Sequence, residues 1–168
     1  MIELINNSNI ALSNAKAIVN ASNGIGWMGG QMCINEQHKG VAESIQYVSK
    51  GAVEKLAKAE CKKHIFGYRP GSVFVTPAPN MNTEYIIHAV TMRLPGCKSH
   101  FRTIEQLVPK ILELSEQLKV ESVAIPLLGC GTGRLSEDKV CDIYYKYLMQ
   151  SNIKSVSYTH LTLPTNRE

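Results

Sequence analysis

Along this chain, short apolar runs of β type alternate with longer stretches in which apolar residues recur at helical spacing. Residues 2–5 and 17–20 are short, apolar and bounded by Asn and Ser, which predicts two strands. From about residue 31 to 65 the pattern is helical, with Gly40 and Gly51 as breaks between two or three helices. Val53, Leu56, Ala57 and Cys61 form the apolar stripe of the last of these. Arg69-Pro70-Gly71 predicts a turn, residues 72–76 a strand, and Pro77 through Pro79 to Asn82 a further turn. Residues 85–90 read as a strand buried on both faces, ended by Leu94-Pro95-Gly96. Ile104, Leu107, Val108, Ile111, Leu112 and Leu118 then mark a core-facing helix, within which Pro109 should bend the axis or mark a helix start. Residues 123–127 predict a strand. Ser136 predicts an N-cap with Glu137 and Asp138 in the first turn, before the stripe Val140, Ile143, Tyr144, Tyr147 and Leu148. A last strand begins near Lys154. Strands alternating with helices, and apolar on both faces, predict an α/β sandwich. No internal repeat or linker interrupts it.

At 168 residues and 44% hydrophobic, the chain is long enough for one domain with a substantial core. The net charge of +4 is mild, and Lys62-Lys63 is the densest basic pair, too little for a strong nucleic-acid surface. There is no twenty-residue apolar segment, and Met1-Ile2-Glu3-Leu4-Ile5-Asn6 turns polar at once, so a cytoplasmic protein without membrane contact is expected. The five cysteines (Cys33, Cys61, Cys97, Cys130, Cys141) are odd in number and lack a Cys-x-x-Cys pair, which predicts reduced thiols. Cys61/His64 and Cys97/His100 could together supply four zinc ligands. One pair falls near a helix end and the other in a polar loop, so coincidence is the better reading and no metal is expected.

Two glycine-rich loops carry the chemistry. Gly24-Ile25-Gly26-Trp27-Met28-Gly29-Gly30 follows the strand Ala17-Ile18-Val19-Asn20-Ala21-Ser22-Asn23, and Gly129-Cys130-Gly131-Thr132-Gly133 follows Ser122-Val123-Ala124-Ile125-Pro126-Leu127-Leu128. Glycine lets backbone N–H groups approach a ligand closely, and a helix start just downstream adds free donors and partial positive charge, a combination suited to phosphate. Two such loops suggest a diphosphate held between them. Residues 24–29 also satisfy G-x-G-x-x-G, but the stretch that follows is helical and Glu43 lies inside a helix rather than closing a second strand. A nicotinamide-binding Rossmann domain is therefore the alternative. Asn20 and Asn23 offer amides suited to sugar hydroxyls, and equally they could cap turns around Ser22 and Gly24.

At these residues the chain resembles the macrodomain family, the ADP-ribose-binding modules. Ala17-Ile18-Val19-Asn20-Ala21-Ser22-Asn23 is similar to its "AIVNAAN" segment, and Trp27-Met28-Gly29-Gly30 to its first glycine loop. Tyr85-Ile86-Ile87-His88-Ala89-Val90 is similar to its "IIHAV" strand, and Ile125 to Gly131 followed by Arg134-Leu135 to its second loop. That second loop is nearest the branch related to terminal ADP-ribose glycohydrolase. The resemblance implies a three-layer α/β/α sandwich with a mixed central sheet over residues 1–156, and ADP-ribose as a ligand rather than a cofactor. It implies that Asn23 faces the distal ribose, that Met28, Gly29 and Gly30 line the diphosphate from one side, and that Gly129, Cys130, Gly131, Thr132 and Gly133 line it from the other. Asn9-Ile10 stands where the family has Asp-Ile, so Asn9 would accept from the adenine amino group without a charge. Trp27 is either a lid over the distal ribose or a ring packed on the neighbouring helix, and Arg134 either clamps phosphate or caps backbone.

The resemblance also implies catalytic positions that this chain does not match. Gln31-Met32-Cys33-Ile34-Asn35 replaces the aspartate that one branch carries after the first loop. Gly133 and Thr91-Met92-Arg93 stand where the glycohydrolase-related branch has an aspartate and a lysine. Asn23 is left as the catalytic candidate, with a thiol at Cys130, its pKa lowered by surrounding N–H groups, as an outside option. The expected roles are thus binding of ADP-ribose or of an ADP-ribosylated protein or nucleic acid, or hydrolysis of such a link. Residues 157–168 continue neither pattern. They resemble a translated sequencing-adapter read-through, the alternative being a polar C-terminal extension.

Overall fold

The computed structural model describes residues 2–6, 8–36, 40–151 and 154–159. Six strands form one sheet: β1 (Ile2–Asn6), β2 (Ala17–Asn23), β3 (Val73–Pro77), β4 (Tyr85–Met92), β5 (Ser122–Pro126) and β6 (Lys154–Thr159). Their spatial order is β1-β6-β5-β2-β4-β3. Every pairing is parallel except that of β3 with β4, so the sheet is mixed. Alternation along the central strands sends opposite residues to opposite faces. Ala17, Val19, Ile87, Ala89, Val123 and Ile125 pack with helices α4 (Phe101–Gln117) and α5 (Glu137–Leu148) through Ile104, Leu107, Ile111, Val140 and Tyr144. Ile18, Ile86 and Ala124 pack on the other side with Ile10, Ile45 and Val53. That layer holds a short 3₁₀ turn at Ile10–Leu12 and helices α1 (Met32–Asn35), α2 (Val41–Val48) and α3 (Ala52–Cys61). The expected three-layer α/β/α sandwich is the observed one.

The departures are local and have physical causes. Strands β2 and β4 extend to Asn23 and Met92, beyond the apolar runs that announce them, because each has a neighbour that continues the ladder. Gly40 and Gly51 do separate the helices, and Gly51 needs its φ of +80° to begin α3. Pro109 does not begin a helix: α4 runs unbroken through it. Pro109 is exposed, so the carbonyl left without its N–H partner can face water. Ser136 occupies the N-cap of α5 but makes no capping bond with its side chain. Strand β6 continues through Thr159, pairing Ser157 and Tyr158 with Leu4 and Ile5, past the boundary drawn at residue 156. Residues 160–168 lie outside the described ones. Among the described residues, no helix is long and apolar enough to cross a membrane.

Candidate functional site

Strands β2, β4 and β5 end side by side, and a crevice of about 410 Å³ opens at their carboxyl ends, lined by Asn23, Met92 and Pro126. Carboxyl ends of parallel strands are where α/β sheets leave room for ligands. The first glycine loop contributes Trp27 and Met28 to one wall, and residues 129–133 form the wall opposite.

The first loop is tied down by side chains. A register shift between Ser22 and Asn23 makes the ladder irregular at the strand end, where Asn23 pairs with Met92. Asn23 Oδ1 accepts from the N–H groups of Ile25 and Trp27, both at 3.2 Å, and Asn23 Nδ2 donates to the Trp27 carbonyl at 2.8 Å. Asn23 therefore organises the turn while also facing the crevice. One turn further on, the Glu54 carboxylate reaches up from α3. Its Oε2 accepts from Met28 N–H at 2.6 Å and from Gly30 N–H at 3.0 Å, and its Oε1 accepts from Lys58 Nζ at 2.6 Å. Glu54 is 6% exposed. The donors read as a phosphate cradle at Met28 and Gly30 are thus already filled by a buried carboxylate. Gly29, at φ +109°, packs so closely on Cys33 that a Cβ would lie 2.3 Å from its Sγ. Trp27 is 41% exposed at the crevice wall.

The second loop is held by its backbone and leaves donors free. Leu128 N–H donates to the Tyr144 hydroxyl, which itself donates to the Pro126 carbonyl; Cys130 N–H bonds the Leu127 carbonyl; and Leu135 N–H bonds that of Gly129. The N–H groups of Gly129, Gly131, Thr132 and Gly133 form no hydrogen bond within the described residues. Gly129 and Gly133 are glycines for packing, since a Cβ on either would strike Ser99 or Leu135. Gly131 is different: a Cβ there meets nothing within 4 Å. Cys130 corrects the expectation of an activated thiol. Burial, reinforced by Glu137 and Cys141, pushes its pKa up to about 12, leaving it protonated and unreactive at neutral pH.

Other residues singled out from the sequence lie off the crevice. Asn20 is fully buried in the sheet, its Nδ2 3.2 Å from His88 Nδ1. With Asn20 donating there, the ring donates from Nε2 to Thr76 Oγ1 at 3.0 Å. Phe74 stacks on the same ring at 4.5 Å, and burial drives the His88 pKa down to about 3. Asn20 belongs to the core because the register sets it opposite His88. Asn9 caps the 3₁₀ turn, accepting from Ala11 N–H at 3.0 Å, and Ile10 beside it is fully buried. Gly30 sits behind Trp27, and Arg134 is exposed at φ +60° with its N–H on the Gly131 carbonyl. Cys61 is buried at the end of α3 while Cys97 is exposed in a loop. Among the described residues, no three His, Cys, Asp or Glu side chains come together as a metal site.

Three carboxylates had no place in the site expected from the sequence, where Glu43 and Glu137 figure only as helix residues. Glu54 looks like half of an exposed Glu-Lys pair one helical turn apart, and only the fold brings it under the first loop. Glu43 and Glu137 both line the crevice. Glu43 also accepts from Gly40 N–H at 3.1 Å, which holds it at the start of α2.

Known proteins resemble this chain in sequence and in fold. A Sulfurisphaera tokodaii protein is 33% identical over 134 residues, covering 78% of this chain and 65% of its own length, so the chain spans less than two thirds of that relative. The macrodomain of Mycobacterium tuberculosis DarG superposes with a TM-score of 0.79 at 22% identity, covering 94% of this chain and 97% of that one. Thermosipho africanus DarTG, solved in complex with ADP-ribose, gives 0.76 at 21% identity over 96% of this chain and 43% of that one. Residues 19–144, from the middle of β2 to the buried tyrosine of α5, match the family model described as "Macro domain", and the chain belongs to that family.

Proposed function

We propose that the crevice binds ADP-ribose, free or attached to a protein or nucleic acid. The observation that carries this reading is the row of free N–H donors at Gly129, Gly131, Thr132 and Gly133 along one wall. Uncommitted backbone donors at a strand-to-helix loop are suited to a diphosphate. Asn23 would sit at the distal ribose, with Trp27 and Met28 covering it. Asn9 has its Oδ1 on Ala11 N–H and lies off the crevice, so the adenine contacts would fall to other groups. Titration calorimetry should give a micromolar dissociation constant, about 8 kcal/mol. Absence of both heat and thermal shift would remove the proposal.

A second reading, slow hydrolysis of an ADP-ribosyl link, rests on Glu43 and Glu137. They are the carboxylates that face the crevice and could take a proton from water. Mass spectrometry of ester-, glycosidic- and phosphate-linked ADP-ribose substrates separates the readings. Release that is lost in Glu43→Gln or Glu137→Gln assigns a hydrolase, and no release from any linkage assigns a reader.

A further inference from the structure

A second concavity of about 420 Å³ adjoins the crevice, lined by Lys63, His64, Ile65, Phe66, Arg69 and Arg93. Their linings meet along the chain at the end of β4. Met92 lines the crevice and the next residue, Arg93, lines the concavity. Gly24, which follows Asn23, donates to the carbonyls of Met92 and Arg93 and accepts from Tyr68 N–H at 2.9 Å. An attachment that leaves a sugar held at Asn23 on the Gly24 side would pass over this surface.

The loop that forms it is firmly held. His64, Tyr68, Phe74 and His88 make a continuous run of ring contacts from surface to core at 4.4, 4.6 and 4.5 Å. Gly67, at φ +65°, lies so close to the Gly24 carbonyl that no Cβ would fit. Yet Ile65 is 93% exposed and Phe66 76%. Two adjacent large apolar side chains left uncovered on an anchored turn mark a contact surface rather than a frayed segment. Around them, Lys63 is paired with Glu60 at 2.6 Å, whereas Arg69 and Arg93 form no ion pair among the described residues.

From this we infer that Ile65, Phe66, Arg69 and Arg93 dock an acidic polypeptide segment bearing apolar side chains, the segment to which ADP-ribose is attached; this rests on the reading of the crevice given above. A polypeptide suits the surface better than a nucleic-acid strand. Phosphates would answer the arginines and a base could stack on Phe66, but only an apolar side chain answers Ile65.

The test compares four probes on the full chain: free ADP-ribose, a twelve-residue Asp/Glu/Leu peptide with one ADP-ribosyl group, the same peptide unmodified, and ADP-ribosylated oligothymidylate. The modified peptide should bind at least tenfold tighter than free ADP-ribose. In Phe66→Ser and in Arg69→Glu/Arg93→Glu that advantage should fall below twofold, with free ADP-ribose unaffected. The unmodified peptide should shift the amide NMR signals of residues 64–69 and 93–94. Should ADP-ribose fail to bind while those shifts appear, the crevice reading falls and the docking surface stands. Equal affinity for modified peptide and free ADP-ribose, an advantage that survives the substitutions, absent shifts, or a larger gain for the oligonucleotide would each overturn the inference.

Discussion

The two glycine loops face each other across one crevice, and their polar groups are committed in opposite ways. In the first, the N–H groups of Ile25, Trp27, Met28 and Gly30 are satisfied by Asn23 and Glu54, side chains of the protein itself. In the second, those of Gly129, Gly131, Thr132 and Gly133 make no hydrogen bond among the described residues. The layers beneath differ in the same sense. The first loop stands over a layer with a buried carboxylate at Glu54 and the Asn20–His88–Thr76 chain, and the second over an apolar layer built from α4 and α5. Composition alone makes the loops look equivalent. The difference lies in who holds the donors, and it supports the proposal of an anion at the second loop and a sugar at the first.

The strongest way to break this comparison is at Gly131, where the backbone has no positive φ and a side chain has room to stand. Gly131→Trp should leave the thermal midpoint unchanged and weaken ADP-ribose more than 100-fold, about 2.7 kcal/mol or more. Calorimetry showing retained affinity would take the second loop out of the site.

Acid should act on the layer beneath the first loop. His88 has a folded pKa of about 3 against an ordinary 6.5, so the unfolded chain takes up a proton that the folded one refuses. Stability from this source is complete above pH 6.5 and declines as pH falls toward 3, by about 1.4 kcal/mol per pH unit. Denaturant melts from pH 7 to 4.5 should show that slope in the wild type and a flatter one in His88→Gln. Equal slopes would mean that other groups govern the acid response.

Glu54→Ala strips two loop donors of their acceptor, which should cost about 1–3 kcal/mol in stability. ADP-ribose affinity should drop about tenfold as the loop loses its shape, and Glu54→Gln, which keeps an acceptor oxygen, should recover most of it. If Glu54→Ala binds like the wild type, the carboxylate is a bystander. The smallest effect is expected at Cys130. Its protonated thiol should resist iodoacetamide at pH 7.5, and Cys130→Ala should bind within twofold of the parent; rapid alkylation would contradict the half-buried, raised-pKa thiol.

What could be read in advance follows from range along the chain. β2 and β4 announce themselves by uninterrupted apolar residues, and the loops by glycines next to strand ends, all signals within a few positions. Glu54 could not be read this way. It sits 26 residues beyond Met28, on a helix where a Glu-Lys pair usually means solvent. Asn20 and Asn23 are three residues apart in a single strand and both are buried, yet pairing against His88 commits one to the core while the other, past the register shift, lines the crevice. The surface around Phe66 was invisible for a similar reason, since Arg69 and Arg93 become neighbours only once β3 pairs with β4 and Gly24 bridges Tyr68 and Arg93.

Strand order has one more consequence. Within the described sheet β1 pairs only with β6, Ile2 lying opposite Ser155, while β5, β2, β4 and β3 form a continuous ribbon without them. As the polypeptide leaves the ribosome, β1 must wait until β6 has emerged before it has a neighbour to zip onto. That edge is therefore expected to assemble last, on a platform whose ligand crevice already exists.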